Sequence, residues 1–174
     1  VFNVYAHDTI ITFSKNDVTS YYERINKRLA PENQCRILYT ENIMDFVESP
    51  PPELKTGILK IEYRNINNDI SDELQKIILQ VPDIAIEGSF AKSVELHATG
   101  LTKGTGLQIV AKDAGIDMEN VMAFGDYVND IDMLKCSGLP VVMGNADDVT
   151  KSVAAYITST NVECGVAKAI YEFI

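Results

Sequence analysis

Val121-Met122-Ala123-Phe124-Gly125-Asp126-Tyr127-Val128-Asn129-Asp130-Ile131-Asp132-Met133-Leu134 is the stretch on which the fold turns. Four apolar residues end in Gly-Asp, and a second acid follows an Asn just before a helical pattern begins. That order predicts a buried strand delivering a carboxylate to its carboxyl end, then a tight turn into a helix. In open α/β sheets this is the edge where ligands bind.

Around this stretch, from Gly100-Leu101-Thr102-Lys103-Gly104 onward, helix and buried strand alternate strictly. A helix over 105–114 carries Leu107, Val110, Ala111 and Ala114 on one face and ends at Gly115. The strand 120–124 follows, then a helix from about Asn129 to Cys136 ended by Gly138. Next come a strand at 139–143, a helix from Asp147 to Ala154, a short strand at 155–158 and a last helix at 165–173. Strands joined through helices at this spacing call for a parallel sheet with crossovers.

Upstream the character differs. Phe2, Val4 and Ala6, then Ile10, Ile11 and Phe13, predict two short strands joined by a turn at His7-Asp8. Asn16-Asp17 caps a helix to about Leu29, and a short strand at 35–39 and a short helix at 41–47 follow. Ser49-Pro50-Pro51-Pro52 reads as a loop of polyproline character. A strand at 58–63, a helix from Ser71 to about Gln80, and strands at 84–88 and 93–98 around a Gly88-Ser89 turn complete this part. Short strands with one apolar face suit an α+β layer, an antiparallel sheet covered on one side by helices. The architecture therefore changes near residues 98–101, and there is no internal repeat.

Composition narrows the function. Apolar content of 46% and charged content of 23% are ordinary for a soluble globular protein. A net charge of −10, without basic stretches or interleaved aromatics, argues against nucleic acid and against an anionic membrane surface. No apolar run reaches the roughly 18 residues of a membrane span. Cys35, Cys136 and Cys164 have no metal-type spacing, and an odd count fits a reducing cytoplasm. The chain opens at Val1 inside an apolar alternating run, which leads to the expectation that an upstream portion is missing.

The chemistry gathers at the predicted strand ends. Asp126, Asn129 and Asp130 offer three oxygen-bearing side chains within one turn, and Mg²⁺ is often held by one or two carboxylates plus a substrate phosphate. Equally, Asn129 suits the cap of a helix and Asp130 and Asp132 favour its N-terminus. Lys103 stands at the start of the helix 105–114, where the dipole disfavours a cation; such a violation is expected where an anion binds. Gly104 and Gly106 let the backbone approach closely. Asn145, in Gly144-Asn145-Ala146 after the strand 139–143, is either the cap of the next helix or a group that orients Asp130 or the substrate. Asn161, Glu163 and Gly165 either add a hydrogen bond to the rim or are ordinary loop composition. His7 and His97 have no partner pattern and read as structural, and nothing assigns a role to Glu62, Tyr63, Arg64 or Glu87.

Lys103-Gly104, then Gly125-Asp126-x-x-Asn129-Asp130-x-x-Met133-Leu134, then Met143-Gly144-Asn145-Ala146 resemble the haloacid dehalogenase superfamily, specifically its Cof-type phosphatases. The match is close over 99–174, and 1–98 look like that group's large α/β cap. The resemblance implies an α/β fold: part of a Rossmannoid parallel sheet at the carboxyl end, preceded by an α+β cap incomplete at its amino end. It also implies a Mg²⁺-dependent phosphohydrolase of small phosphorylated metabolites acting through an aspartyl-phosphate. Lys103 would neutralise the nucleophile and the phosphate. Asp126 would bind the metal, with Asn129 and Asp130 supporting the metal shell and the lysine.

Two positions depart from the family pattern. Tyr127 replaces the small residue usual after this Gly-Asp, either crowding the metal or pointing outward. The nucleophile motif Asp-x-Asp-Gly-Thr has only a chance echo in Ala6-His7-Asp8-Thr9, so no nucleophile is expected in this chain. The missing attacking group and its strand would lie upstream of Val1, leaving the chain alone inactive, with an open strand edge through which it associates or dimerises. A different class stays open: a non-catalytic regulatory domain that binds phosphate or metal on the same fold.

Overall fold

The structure, a computed structural model, describes residues 1–49, 57–64, 76–90 and 93–174. Contacts divide the chain into two units, Val1–Thr99 and Gly100–Ile174.

In the first unit, β1 (Phe2–Ala6) and β2 (Thr9–Thr12) form an antiparallel hairpin in which Ala6 faces Thr9, leaving His7 and Asp8 as its loop. His7 sits at φ 48°, as a two-residue hairpin of primed type requires of its first loop residue. The Ala6-His7-Asp8 run is thus a hairpin tip. The unit continues through α1 (Asp17–Asn26), β3 (Arg36–Tyr39), α2 (Ile43–Glu48), β4 (Lys60–Arg64), β5 (Ile84–Phe90) and β6 (Ser93–Ala98). Among the described residues these strands form one sheet in the order β3-β2-β1-β4-β6-β5.

Two expectations for this unit are corrected. The sheet is mixed rather than antiparallel, because β3 runs parallel to β2. The intervening helix α1 returns the chain to its starting end, which a tight turn cannot do. Helices also lie on both faces. Val4, Ala6 and Ile11 pack with Leu38, Ile61 and the α2 residues Ile43 and Phe46 on one face. Strand alternation turns Asn3, Tyr5, Thr12 and Glu62 to the other, where the N-cap of α1, Asn16, donates to Asn3 Oδ1 at 3.0 Å.

Glu62 anchors that second face. Its buried carboxylate accepts from Asn3 Nδ2 (3.1 Å), Tyr5 Oη (2.9 Å), and Arg64 Nε (3.1 Å) and Nη2 (2.5 Å). Burial pushes this carboxyl up, but the four donors outweigh it and hold it below the usual carboxylate range.

Smaller differences have local causes. Helix α1 stops at Asn26, short of Leu29, because the Asn26 side chain brackets Cys35, accepting from its N–H at 2.9 Å and donating to its carbonyl at 2.6 Å. Gly88-Ser89 lies inside β5 rather than in a turn, where the pairing register with β6 shifts between Glu87 and Phe90. A glycine within a strand often marks such a bulge. Of the helix expected over 71–80, residues 76–78 are helical and 71–75 lie outside the described residues, as does most of the proline loop.

The second unit runs α3 (Lys103–Asp113), β7 (Met122–Gly125), α4 (Ile131–Cys136), β8 (Leu139–Val142), α5 (Asp148–Lys151), β9 (Tyr156–Ile157) and α6 (Gly165–Phe173). Its three strands are parallel, in the order β7-β8-β9. In the central strand β8, the adjacent residues Val141 and Val142 are both buried, so both faces of that strand are covered. Ala123, Leu134, Val142 and Ala146 form the core on one side, with Leu107, Met133, Val153 and Ala154 packed against them. Helix α4 begins at Ile131, later than expected, because Val128–Asp130 form a 3-10 turn that carries Asp130 inward. No helix among the described residues is long and apolar enough to cross a membrane.

Candidate active site

Parallel order puts the carboxyl ends of β7, β8 and β9 on one edge of the sheet, and the loops leaving them carry Asp126, Asn145 and Asn161. Asn145 joins all three. Its Nδ2 donates to Asp126 Oδ2 at 3.2 Å, and its Oδ1 accepts the Asn161 backbone N–H at 2.9 Å. The role of Asn145 as a cap of α5 is taken instead by Asp147, whose Oδ1 accepts from Thr150 N–H at 2.8 Å.

Lys103 reaches the same edge from the first turn of α3. Its ammonium lies 2.5 Å from Asp130 Oδ1. The other Asp130 oxygen accepts the backbone N–H groups of Asp126 (2.9 Å) and Tyr127 (3.2 Å). Asp130 thus closes the turn after β7 and holds the lysine head with one side chain. Its side chain is 7% exposed while that of Lys103 is 46% exposed, so the pair points its cationic end outward. Burial alone would push the Asp130 carboxyl up; the Lys103 ammonium and the two N–H donors outweigh it and hold it below the usual carboxylate range.

Lys103, Asp126 and Asn145 each adjoin a glycine against which a neighbour packs closely. A Cβ on Gly125 would stand 2.6 Å from Asp130 Cβ. One on Gly104 would stand 2.3 Å from Asp132 Oδ2, and one on Gly144 would stand 2.9 Å from the Thr158 carbonyl oxygen.

A family model described as haloacid dehalogenase-like hydrolase matches residues 2–170. The chain belongs to this family. Over 136 residues it is 43% identical to a 5-amino-6-(5-phospho-D-ribitylamino)uracil phosphatase of Bacillus subtilis, covering 78% of this chain and 51% of that protein. Over 153 residues it is 33% identical to a phosphoglycolate phosphatase of Methanobrevibacter smithii, covering 87% of this chain and 56% of that one. The chain spans about half the length of these curated relatives. A solved haloacid dehalogenase-like hydrolase from Bacteroides thetaiotaomicron superposes with a TM-score of 0.70 at 27% identity, over 99% of this chain and 60% of that one. Another from B. subtilis superposes with a TM-score of 0.74 at 24% identity, over 99% and 65%, a likeness of fold. The mixed α/β architecture is that of the haloacid dehalogenase-like Rossmannoid proteins.

In this haloacid dehalogenase-like chain, Lys103, Asp126, Asp130 and Asn145 are joined by hydrogen bonds at one sheet edge. Asn129 is half-buried in the 3-10 turn and has no side-chain hydrogen bond to the described residues. Glu163 is turned to its own loop, accepting from Thr160 N–H and Oγ1 at 3.1 and 2.7 Å. Tyr127 is 41% exposed. Among the described residues no group of three or more His, Cys, Asp or Glu side chains is placed to hold a metal. The side chains at the edge that could face a metal are nonetheless oxygen donors: the exposed Asp126 carboxylate and the half-buried Asn129 carboxamide. So few, hard donors suit a cation that keeps most of its waters, as Mg²⁺ does.

Two contributors enter differently from the sequence reading. The Asn161 backbone N–H, rather than its side chain, enters the edge. Asp132, read as a helix-start residue, contacts Thr102 on another helix. The Thr102-x-x-Thr105 spacing was the available signal for a fixed helix start there.

Proposed function

We propose that the complete protein carrying this chain is a Mg²⁺-dependent phosphohydrolase of small phosphorylated metabolites. The observation that carries this reading is the pairing of the Lys103 ammonium with Asp130 on the sheet edge where Asn145 holds Asp126. The phosphatase names of the curated relatives support it.

In this reading the Lys103 ammonium, with two N–H donors left after Asp130, binds phosphoryl oxygens. Asp130 fixes where that charge stands, and its backbone hydrogen bonds fix the Asp126 turn relative to it. Asp126 is the metal-binding carboxylate, Asn145 orients it, and Asn129 adds a carboxamide oxygen to the water shell. Magnesium, when bound, supplies charge against the oxygens of the transferring phosphoryl group. The attacking carboxylate, which forms the aspartyl-phosphate, comes from outside this chain. Residues 1–98 serve as a cap and 99–174 as part of the core. Three free cysteines support a cytoplasmic setting.

The test is phosphate release from p-nitrophenyl phosphate and from a panel of phosphorylated sugars, acids and cofactors by the complete protein. Turnover that needs Mg²⁺ and is lost in Lys103→Ala and Asp126→Ala variants is expected. Turnover unchanged in both variants would refute the assignment. One observation favours a second reading, a phosphate-binding module without turnover: both Asp130 oxygens are engaged, which leaves Asp126 as the site's available carboxylate. Phosphate binding with no release from any substrate would select it.

A further inference from the structure

Lys103 is a flexible cation at a helix start, where the dipole repels it. A catalytic ammonium must nevertheless stand within a fraction of an ångström of its place. Asp130 holds the head of the side chain. The backbone end requires a separate anchor, because the head follows wherever the first turn of α3 moves.

Two features of α3 meet on one residue of α4. Thr102, the N-cap of α3 and the residue before Lys103, donates its hydroxyl proton to Asp132 Oδ2. With that proton committed, the Thr102 oxygen faces Thr105 N–H and accepts it at 3.0 Å. The Thr105 hydroxyl completes the box by accepting Thr102 N–H at 2.8 Å. Gly104, the residue after Lys103, leaves the room that Asp132 occupies, for a Cβ there would come 2.3 Å from Asp132 Oδ2 and 3.0 Å from its backbone carbon. Asp130 and Asp132 belong to one short turn-and-helix segment, so the residues before, at and after Lys103 all register against it.

We propose that Asp132 is a positioning residue for Lys103, acting through the Thr102 hydroxyl to fix the start of α3 against the turn that carries Asp130. The proposal rests on the phosphohydrolase reading of the site. Asp132 and Thr102 are both exposed, so their hydrogen bond contributes little to overall stability, and its effect falls on placement. Misplacement of a catalytic group by about 1 Å can cost about a hundredfold in rate.

The experiment uses the complete protein with p-nitrophenyl phosphate and Mg²⁺, measuring kcat and KM separately and a thermal midpoint for each variant. Asp132→Ala and Thr102→Ala should each lower kcat about ten- to hundredfold while KM changes less than about twofold. Asp132→Asn keeps an oxygen that accepts from Thr102, and Thr102→Ser keeps the hydroxyl, so both should restore most of kcat. The Asp132→Ala, Thr102→Ala double variant should be no slower than the slower single variant. Wild-type kcat in Asp132→Ala, equal losses in Asp132→Ala and Asp132→Asn, or additive losses in the double variant would overturn the proposal. A variant that loses kcat only in proportion to its unfolded fraction does the same, and Thr102→Ala supplies the reading if Asp132→Ala does not fold. Lys103→Ala separates the two claims: if it keeps wild-type activity, the reading of the site fails, whereas loss of activity there with Asp132→Ala unaffected rejects the positioning role alone.

Discussion

Asn145 Nδ2 donates to Asp126 Oδ2 across 3.2 Å while Asn145 Oδ1 accepts the Asn161 N–H, so one carboxamide joins three successive strand ends. Asp126 has no other side-chain holder among the described residues. Removing Asn145 should therefore loosen the carboxylate proposed to bind the metal, without unfolding the unit. In Asn145→Ala the Mg²⁺ concentration giving half-maximal phosphate release should rise about 10–100-fold, as for other outer partners of metal ligands. A Mg²⁺ titration of the complete protein checks this.

Asp130 should matter for stability as well as activity. Asp130→Ala leaves the Asp126 and Tyr127 N–H groups without their acceptor and Lys103 without its partner, at a cost of about 1–3 kcal/mol in urea unfolding. The pH dependence has a definite sign. The folded carboxyl lies below its usual range, so its contribution is fully present above the unfolded value, about pH 4, and is lost as pH falls through the lower folded value. The gap between wild type and Asp130→Ala should stay constant from pH 8 to 5 and close in acid.

Glu62 is the corresponding test in the first unit. Glu62→Ala leaves donors from Asn3, Tyr5 and Arg64 without an acceptor. Arg64 is 37% exposed and stays hydrated, so the expected loss is about 2–3 kcal/mol rather than that of a fully buried pair. Faster hydrogen exchange at β1 and β4 amides, with α3 and β7 unchanged, is the predicted pattern.

Two glycines should respond oppositely to the same methyl group. Gly125→Ala forces a Cβ to within 2.6 Å of Asp130 and 3.0 Å of Leu134 Cδ1, and should destabilise by about 1–3 kcal/mol with loss of activity. Gly106 lies within α3 with nothing within 4 Å of an added Cβ, so Gly106→Ala should stabilise by about 0.5–1 kcal/mol. Paired thermal melts decide the contrast.

What the sequence made legible follows the range of the forces involved. The alternation of buried strand and helix after residue 100 is a local pattern, and β7, β8 and α6 stand within a residue or two of where periodicity places them. The positions of Lys103 and Asp130 at helix starts and of Asp126 at a strand end were legible from local pattern. The parallel β2–β3 pair and the two-sided covering of the first sheet were not, because short strands carry no signal of direction. Nor were the contacts of Asn145 with Asp126 and Asp132 with Thr102, which join residues 19 and 30 positions apart. Side-chain pairings at that separation follow from the packed fold, and no local spacing encodes them.

Lys103, Asp126 and Asn145 each have a glycine beside them, and Gly104, Gly125 and Gly144 each stand where a methyl group would collide with a neighbour. In evolutionary terms this divides the unit into two classes of position. Lys103, Asp126 and Asn145 are exposed, so a replacement there changes the group presented and leaves the backbone in place. At the glycines any replacement adds at least one carbon: at Gly125 it meets Asp130 Cβ, at Gly144 a backbone oxygen, and at Gly104 the Asp132 carboxylate has to move aside. Change is therefore accepted more readily in the exposed side chains of the edge than in its backbone.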